Sequence, residues 1–237
     1  MNTAEQAWVE LPEDDLQQLL LAMVGTDFGP EPQEHLDEIR RSREQYARRF
    51  ITMAGVRSSD AVIDLGAGCG FGTRAIAAVA EKVWACDISP AYLKYARQEC
   101  ADLNNVIIQP VIKHMLHGID EHSVDVIIGM SVFIHLNLYD IYWYFQEFRR
   151  IIRGPGRVCF DFADSDHLFS ERLLRQRNDQ KTSQAFIDHA EYYREDPGSL
   201  FSLMQWNSLS AIRQVASHHG FRLLRRRGSR VLFERRE

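Results

Sequence analysis

No apolar run in this chain of 237 residues approaches the ~20 residues that cross a bilayer, so membrane insertion is not expected. Residues Met1 to Leu20 lack the basic start and apolar centre of a secretory signal, which points to a cytoplasmic protein. Cysteine is scarce: Cys69, Cys86, Cys100 and Cys159 are the only four, none in CxxC spacing. They fall in or beside expected core elements, as reduced, packed thiols do. Basic residues are missing before Arg40, and the net charge is −5. Nucleic acid is thus not an expected partner, because binding phosphates takes a basic face. Internal repeats and low-complexity linkers are absent as well. The composition, 45% hydrophobic and 26% charged, is a globular balance, and a chain this long can bury one large core.

Charge is nevertheless uneven. The tail carries Arg222, Arg225, Arg226, Arg227, Arg230, Arg235 and Arg236. Such an array could bind a polyanion, or form the solvated face of terminal strands that answers the acidic N-terminus. Strand alternation accounts for Phe221, Leu223, Leu224, Val231 and Phe233 without a ligand, which favours the second reading.

The most informative stretch runs from Val62 to Ala77, VIDLGAGCGFGTRAIA. An apolar run with Asp64 inside it enters a turn dense in glycine (Gly66, Gly68, Gly70, Gly72), and an alanine-rich segment of helical period leaves it. This reads as a buried strand, a tight turn and a helix, with a backbone that a ligand can approach closely. A dinucleotide fingerprint would place a third glycine three residues after Gly68, where Phe71 stands, so a ligand without a pyrophosphate is favoured. A second short strand, KVWACDI, ends in Asp87, about twenty residues beyond the turn, where a parallel βαβ unit needs an acid for ribose hydroxyls. Asp87 could alternatively cap the helix that starts near Pro90, as Ser89 also could. Together these segments resemble motif I and the following acid of the class I S-adenosylmethionine (SAM) dependent methyltransferases.

Strands are expected near 61–65, 83–87, 105–109, 124–129, 157–163, 221–226 and 229–235, and helices near 70–80, 90–101, 138–153 and 208–219. Leu16 to Met23 and Pro32 to Ala54 also show helical periodicity. The fold class is therefore α/β: a doubly wound, mostly parallel seven-stranded, Rossmann-like sheet whose last two strands form a hairpin at Gly228. Residues 1–50 are read as an N-terminal helical cap and 51–237 as the catalytic domain. Ser165 to Gln205 is longer than a simple connector and is read as an inserted helical lid, at about 165–205.

The resemblance extends from about Tyr46 to Arg236, through SVDVIIGMSVFIHL (Ser123 to Leu136) and EFRRIIRGPGR (Glu147 to Arg157). It implies SAM as cofactor, held by Tyr46, Asp64, Gly66, Ala67, Gly68, Gly70, Asp87, Ile88, Val111, Ile112 and Met130. Arg40 or Arg49 could neutralise the methionine carboxylate. One feature departs from the family. Many members place an acid after the third strand for the adenine amino group, and the matching position is near Ile112. Adenine would then rely on backbone groups, on Gln109, or on apolar walls.

Methyl transfer needs positioning, desolvation and, for some acceptors, removal of a proton. The fourth strand lacks the [DN]-P-P-[FYW] run of amino-group methylases and the Pro-Cys of cytosine methylation, and no acidic cluster suits Mg²⁺. No metal is expected. A small, apolar or aromatic acceptor remains. The catalytic candidates are His135, a base or a loop anchor, and His167, which Asp164 could orient; Asp161 leaves the same strand edge. His189, Tyr192 and Tyr193 could line an acceptor pocket or pack a lid helix. The aromatic run Phe133 to Phe148 is read mainly as helical core, with some surface left for a homodimer contact. Two other functions stay open: an enzyme that transfers or cyclises the aminocarboxypropyl part of SAM, releasing methylthioadenosine, and a non-catalytic SAM-binding regulator.

Overall fold

The computed structural model describes residues 3–25, 27–166, 177–195 and 204–236. Two helices, α1 (Thr3–Val9) and α2 (Leu16–Val24), precede a 3₁₀ turn at Pro32–His35 and the long α3 (Leu36–Ala54). Asp15 caps α2 by accepting the Gln18 N–H at 3.0 Å. Alternation then begins: β1 (Ala61–Leu65), α4 (Phe71–Ala77), β2 (Lys82–Asp87), α5 (Pro90–Glu99), β3 (Val106–Pro110), β4 (Val124–Gly129), α6 (Leu138–Ile151) and β5 (Ile152–Asp161). The chain closes with β6 (Ala163–Asp164), α7 (Arg177–Glu195), β7 (Trp206–Asn207), α8 (Leu209–His218), β8 (Phe221–Arg227) and β9 (Arg230–Arg235).

Seven strands form one sheet in the order β3-β2-β1-β4-β5-β9-β8. β1 to β5 pair in parallel, and the β8–β9 hairpin adds antiparallel to β5. The chain steps outward from β1 through β2 to β3, then returns to the other side of β1 as β4. That reversal opens a crevice at the carboxyl ends of β1 and β4, the place where such sheets bind ligands.

Side chains of β1 alternate between the two faces. Ile63 and Leu65 join a core beneath α6 and α8, with Phe133, Phe145, Phe148, Phe160, Phe221 and Phe233. Val62 joins Phe50 and Met53 of α3 and Ile76 of α4 on the opposite face. A third cluster ties α2 to the turn and to α5 through Leu19, Leu20, Ile39, Phe71 and Tyr92. All four cysteines are buried free thiols. Among the described residues, no helix is long and apolar enough to cross a membrane.

Several details differ from expectation. α3 runs unbroken from 36 to 54 and packs on the sheet, so a boundary at residue 50 would cut through a core helix. β5 begins at Ile152 rather than near 157: Ile152 already pairs with Val124, and after an irregularity at the Gly-Pro segment, which holds a cis Gly154–Pro155 bond, the ladder with β4 resumes at Arg157. β6 and β7 make a separate two-stranded parallel ladder, and α1 carries no clear sequence signal. Within the aromatic run, Tyr144, Phe145 and Phe148 are buried, whereas Tyr139 is 80% and Trp143 50% exposed. β8 is an edge strand, and its Arg222, Arg225, Arg226 and Arg227 are exposed. Two of them are paired, Arg222 with Glu234 at 2.5 Å and Arg226 with Asp164 at 2.6 Å.

Phe145 meets Phe148, Phe160, Phe221 and Phe233 at ring-centroid distances of 5.3–6.2 Å and is fully buried. Phe145→Ala should cost about 3–5 kcal/mol, read as a lowered urea midpoint with an unchanged m value. A loss below about 1 kcal/mol would mean that this ring cluster is not the centre of the core.

Candidate active site

A cavity of about 670 Å³ opens at the carboxyl edge of the sheet, between the glycine turn, α3, α2 and the loop after β4. Gly66 and Gly68 line it with φ of 72° and 54°. A Cβ on Gly66 would lie 2.1 Å from Val132 Cγ2, and one on Gly68 would lie 2.9 Å from Met23 Cε. At Gly66 the stiff valine leaves room for glycine alone, and at Gly68, where the methionine tip could move aside, the positive φ still disfavours any side chain. The Gly66 and Ala67 N–H groups both donate to the Cys86 carbonyl, at 2.7 and 3.0 Å, which pins the turn to β2. Gly70 is not on the wall: it caps α4 with φ 88° and packs against Ala96 and Cys100.

Asp64 also stands behind the wall. It is fully buried and accepts the Thr73 hydroxyl at 2.7 Å, joining β1 to α4. Burial pushes its carboxyl up to about 7, with the Thr73 bond opposing the rise and the Asp87 charge adding to it. Asp87 does line the cavity. Its two oxygens accept the Gly68 and Ser89 N–H groups, each at 2.9 Å. Burial raises its carboxyl too, against these backbone bonds. The side-chain cap of α5 comes from Ser89, which accepts the Tyr92 N–H at 3.4 Å.

On the far side of the turn, Tyr46 lines the cavity and donates its hydroxyl to Asp161 at 2.5 Å. The other Asp161 oxygen accepts the Ser131 N–H at 2.7 Å. Burial, reinforced by the Asp161 charge, holds the Tyr46 hydroxyl above the ordinary tyrosine range, so it stays protonated and donates. Asp161 thus clamps α3 to the loop after β4, where Ser131 adopts a φ of 58°. Asp164, offered from sequence as a partner for His167, is engaged by Arg226. His167 lies outside the described residues.

The cation at this end is neither Arg40 nor Arg49. Arg40 is tied to Glu99 at 2.9 Å and Asp37 at 3.1 Å, and Arg49 is exposed. Arg43 lines the cavity, donates to the Met23 carbonyl at 2.5 Å, and among the described residues pairs with no carboxylate. Burial lowers its pKa. Its position was legible in principle: Ile39, Arg43, Tyr46, Ala47 and Phe50 share the inward stripe of α3.

Ile88, Val111 and Met130 line the cavity. Ile112 does not: it is 51% exposed and bridges to Met115, because the loop turns outward after Val111. Gln109 donates to the His117 carbonyl at 2.5 Å and is not on the wall either. His135 lines the cavity, and its ring lies 5.1 Å from that of Trp8, which α1 brings over the pocket. His189 of α7 reaches the wall, whereas Tyr193 is exposed. The side chain of Tyr192 lies outside the described residues. Sequence reasoning missed Trp8, Asp27 and a His114–Asp140 pair, which all line the cavity. Among the described residues, no three His, Cys, Asp or Glu side chains converge as a metal would need.

Residues 62–156, from β1 into β5, match the family model of a methyltransferase domain. That stretch is a methyltransferase domain, similar to those of the class I SAM-dependent methyltransferases. The demethylmenaquinone methyltransferase of Tropheryma whipplei is 29% identical over 116 residues, 48% of this chain and 46% of that protein. The chain thus spans about half the length of the curated relatives it matches. Solved structures share the fold. Magnesium protoporphyrin IX methyltransferase from Synechocystis, with bound S-adenosylhomocysteine, superposes with a TM-score of 0.58 at 16% identity, covering 83% of each chain. A complex of the Haloferax volcanii Trm112 activator with a putative methyltransferase gives 0.60 at 18% identity, covering 87% of this chain and 77% of that one.

The methyltransferase domain implies SAM as cofactor, and the walls fit it: a turn crowded against any Cβ at Gly66, a carboxylate at the end of β2, and a guanidinium that forms no close salt bridge among the described residues. Asp87→Ala should weaken S-adenosylhomocysteine binding by more than about tenfold, measured by titration calorimetry; a smaller loss would remove Asp87 from the ribose subsite. Asp64 gives a pH prediction. Folded Asp64 keeps its proton up to about pH 7, whereas an unfolded aspartate releases it near 4. Between these values the folded state binds more protons, so this group makes stability fall as pH rises, by up to about 1.4 kcal/mol per unit. Asp64→Asn, which keeps an acceptor for Thr73, should therefore gain on the wild type from about pH 4 to 7 and no further above. Urea midpoints at several pH values would expose a gap that does not change.

Proposed function

We propose that this chain transfers the methyl group of SAM to a small, largely apolar acceptor within the cavity at the carboxyl edge of the sheet. One observation carries the reading: a single cavity joins Gly66, Gly68, Asp87 and Arg43 to an apolar wall that holds His135. When bound, SAM supplies a methyl made electrophilic by the sulfonium. Asp87 accepts the ribose hydroxyls, Arg43 neutralises the methionine carboxylate, and the Tyr46 ring and Met130 flank the methionine chain. Ala67, Ile88 and Val111 complete the apolar surface around the nucleoside. Trp8, Met23, His189 and Met204 cover the pocket, so the N-terminal helices and α7 act as the lid that keeps water from the acceptor.

The acceptors in the names of the curated relative and of the Synechocystis neighbour, a demethylmenaquinone and magnesium protoporphyrin IX, are small molecules, which supports the same class here. His135 is the group for removing a proton from a phenol or hydroxyl, with its ring steered by Trp8. A neutral imidazole performs this near physiological pH.

Purified protein incubated with SAM and a panel of phenols, amines and carboxylates should release S-adenosylhomocysteine with at least one of them. Methylthioadenosine formed from SAM alone, above an Asp87→Ala control, would instead assign attack at the aminocarboxypropyl chain. With an acceptor in hand, His135→Ala should lower kcat by about 10²–10⁴ and leave S-adenosylhomocysteine affinity within about twofold. An unchanged kcat would leave His135 as a loop anchor.

A further inference from the structure

The loop that carries His135 has its path set from outside. The His135 N–H donates to the Val132 carbonyl at 2.9 Å, and the carbonyl of that same peptide unit, on Ile134, accepts the Gln205 N–H at 2.6 Å. The unit before the histidine is thus bonded at both ends. Past the histidine, the Leu136 carbonyl accepts the side-chain amide of Asn207 at 2.8 Å. Gln205 and Asn207 are two residues apart, so the carbonyls on either side of His135 are tied to one short stretch of chain.

That stretch is itself held. Trp206 and Asn207 form β7, in parallel register with Ala163 and Asp164 of β6. The Asn207 carbonyl accepts the Ser165 N–H at 3.0 Å, and the Asp164 carboxylate accepts from Arg226 of β8 at 2.6 Å. Phe162, buried in the Phe-rich core, joins β6 to the end of β5. Asn207 is buried as well and stands behind the cavity wall. Between the two anchors, the Trp206 ring packs edge-on against Phe186 of α7 at 5.3 Å. His189 of the same helix, which reaches the wall, lies 6.4 Å from that ring. The ladder that sets the loop is therefore also the seat of the lid helix.

We propose that Asn207 is a positioning residue for His135: its bond to Leu136 holds the loop in the path that presents the imidazole to the cavity. A base acts only within hydrogen-bond reach of the proton it removes, and small displacements of such a group cost rate steeply. Of the three bonds around His135, two join backbone to backbone and survive any substitution. The third alone depends on a side chain. A primary amide suits the place, since it donates to the carbonyl without adding charge, whereas a carboxylate would set lone pairs against lone pairs. With the path of the loop fixed, the Trp8 ring, 5.1 Å away, limits how far the imidazole can rotate.

The inference rests on the reading of His135 as the base, and it is tested by NMR on the full chain with histidine labelled at ¹³Cε1. Of the nine histidine signals, that of His135 is the one lost in His135→Gln. Ring current from Trp8 should displace it by an amount that Trp8→Leu removes. Asn207→Leu keeps the bulk without the donor, and the hydroxyl of Asn207→Ser falls short of the carbonyl. Each should shift the His135 signal toward its Trp8→Leu position, while His114 and His218 keep theirs. Affinity for S-adenosylhomocysteine should stay within about twofold. A His135 signal unmoved in both variants overturns the inference. Collapse of both, seen as lost dispersion in every histidine signal, assigns Asn207 to the fold and overturns it too. With an acceptor in hand, Asn207→Leu should lower kcat by about tenfold at unchanged KM for SAM, and by less than about twofold in a His135→Ala background. A full further loss in that background overturns the inference. Full turnover by His135→Ala refutes the base reading alone, and the histidine signals still decide the positioning.

Discussion

The approach of Gly66 to Val132 is the constraint on which the site depends. A methyl at that glycine would lie 2.1 Å from the valine side chain, so the turn after β1 and the loop after β4 pack backbone against side chain. The turn is pinned to β2 through the Cys86 carbonyl, and the loop is pinned to α3 through Ser131, Asp161 and Tyr46. These bonds fix the two lips of the crevice that the strand reversal opens. Asp87 hangs from the first lip, and Met130 and His135 from the second.

Legibility in the sequence followed the range of the interactions. The turn, Asp87, most strand positions and the terminal hairpin were readable because each depends on residues close in sequence, and the glycine spacing leaves few alternatives. Arg43 was hidden by its neighbours: among Arg40, Arg41, Arg43, Arg48 and Arg49, only the phase of α3 singles out the one that faces inward. Ile112 was misplaced because the chain leaves β3 by a tight outward turn built on unusual φ values at Lys113 and His114, which no composition rule anticipates. The pairing of His114 with Asp140 joins residues 26 apart on different elements and has no local signature. Trp8 was missed for the same reason, since α1 is short and only its docking over His135 gives it a role.

Asp64, Asp87 and Asp161 surround the turn, and burial raises the carboxyl of each. Each is held by hydrogen bonds: from a hydroxyl at Asp64, from two backbone N–H groups at Asp87, and from a phenol and a backbone N–H at Asp161. Burying acidic groups works against stability unless hydrogen bonds or nearby charge compensate them. The Phe-rich core under α6 and α8 offsets that cost, and its members Leu65, Val111 and Tyr144 carry the packing up to the cavity wall.

The arginines of β8 take on a meaning of their own at the end of the sheet. An edge strand offers a row of unpaired backbone groups to any other strand that meets it, and charge along the edge is a common defence. Two copies of this chain joining antiparallel through β8 would set arginine against arginine, and like charges directly opposite repel. The arginine-rich tail thus lies as a charged border along the exposed edge of the seventh strand, in keeping with the solvated strand face read from its alternation.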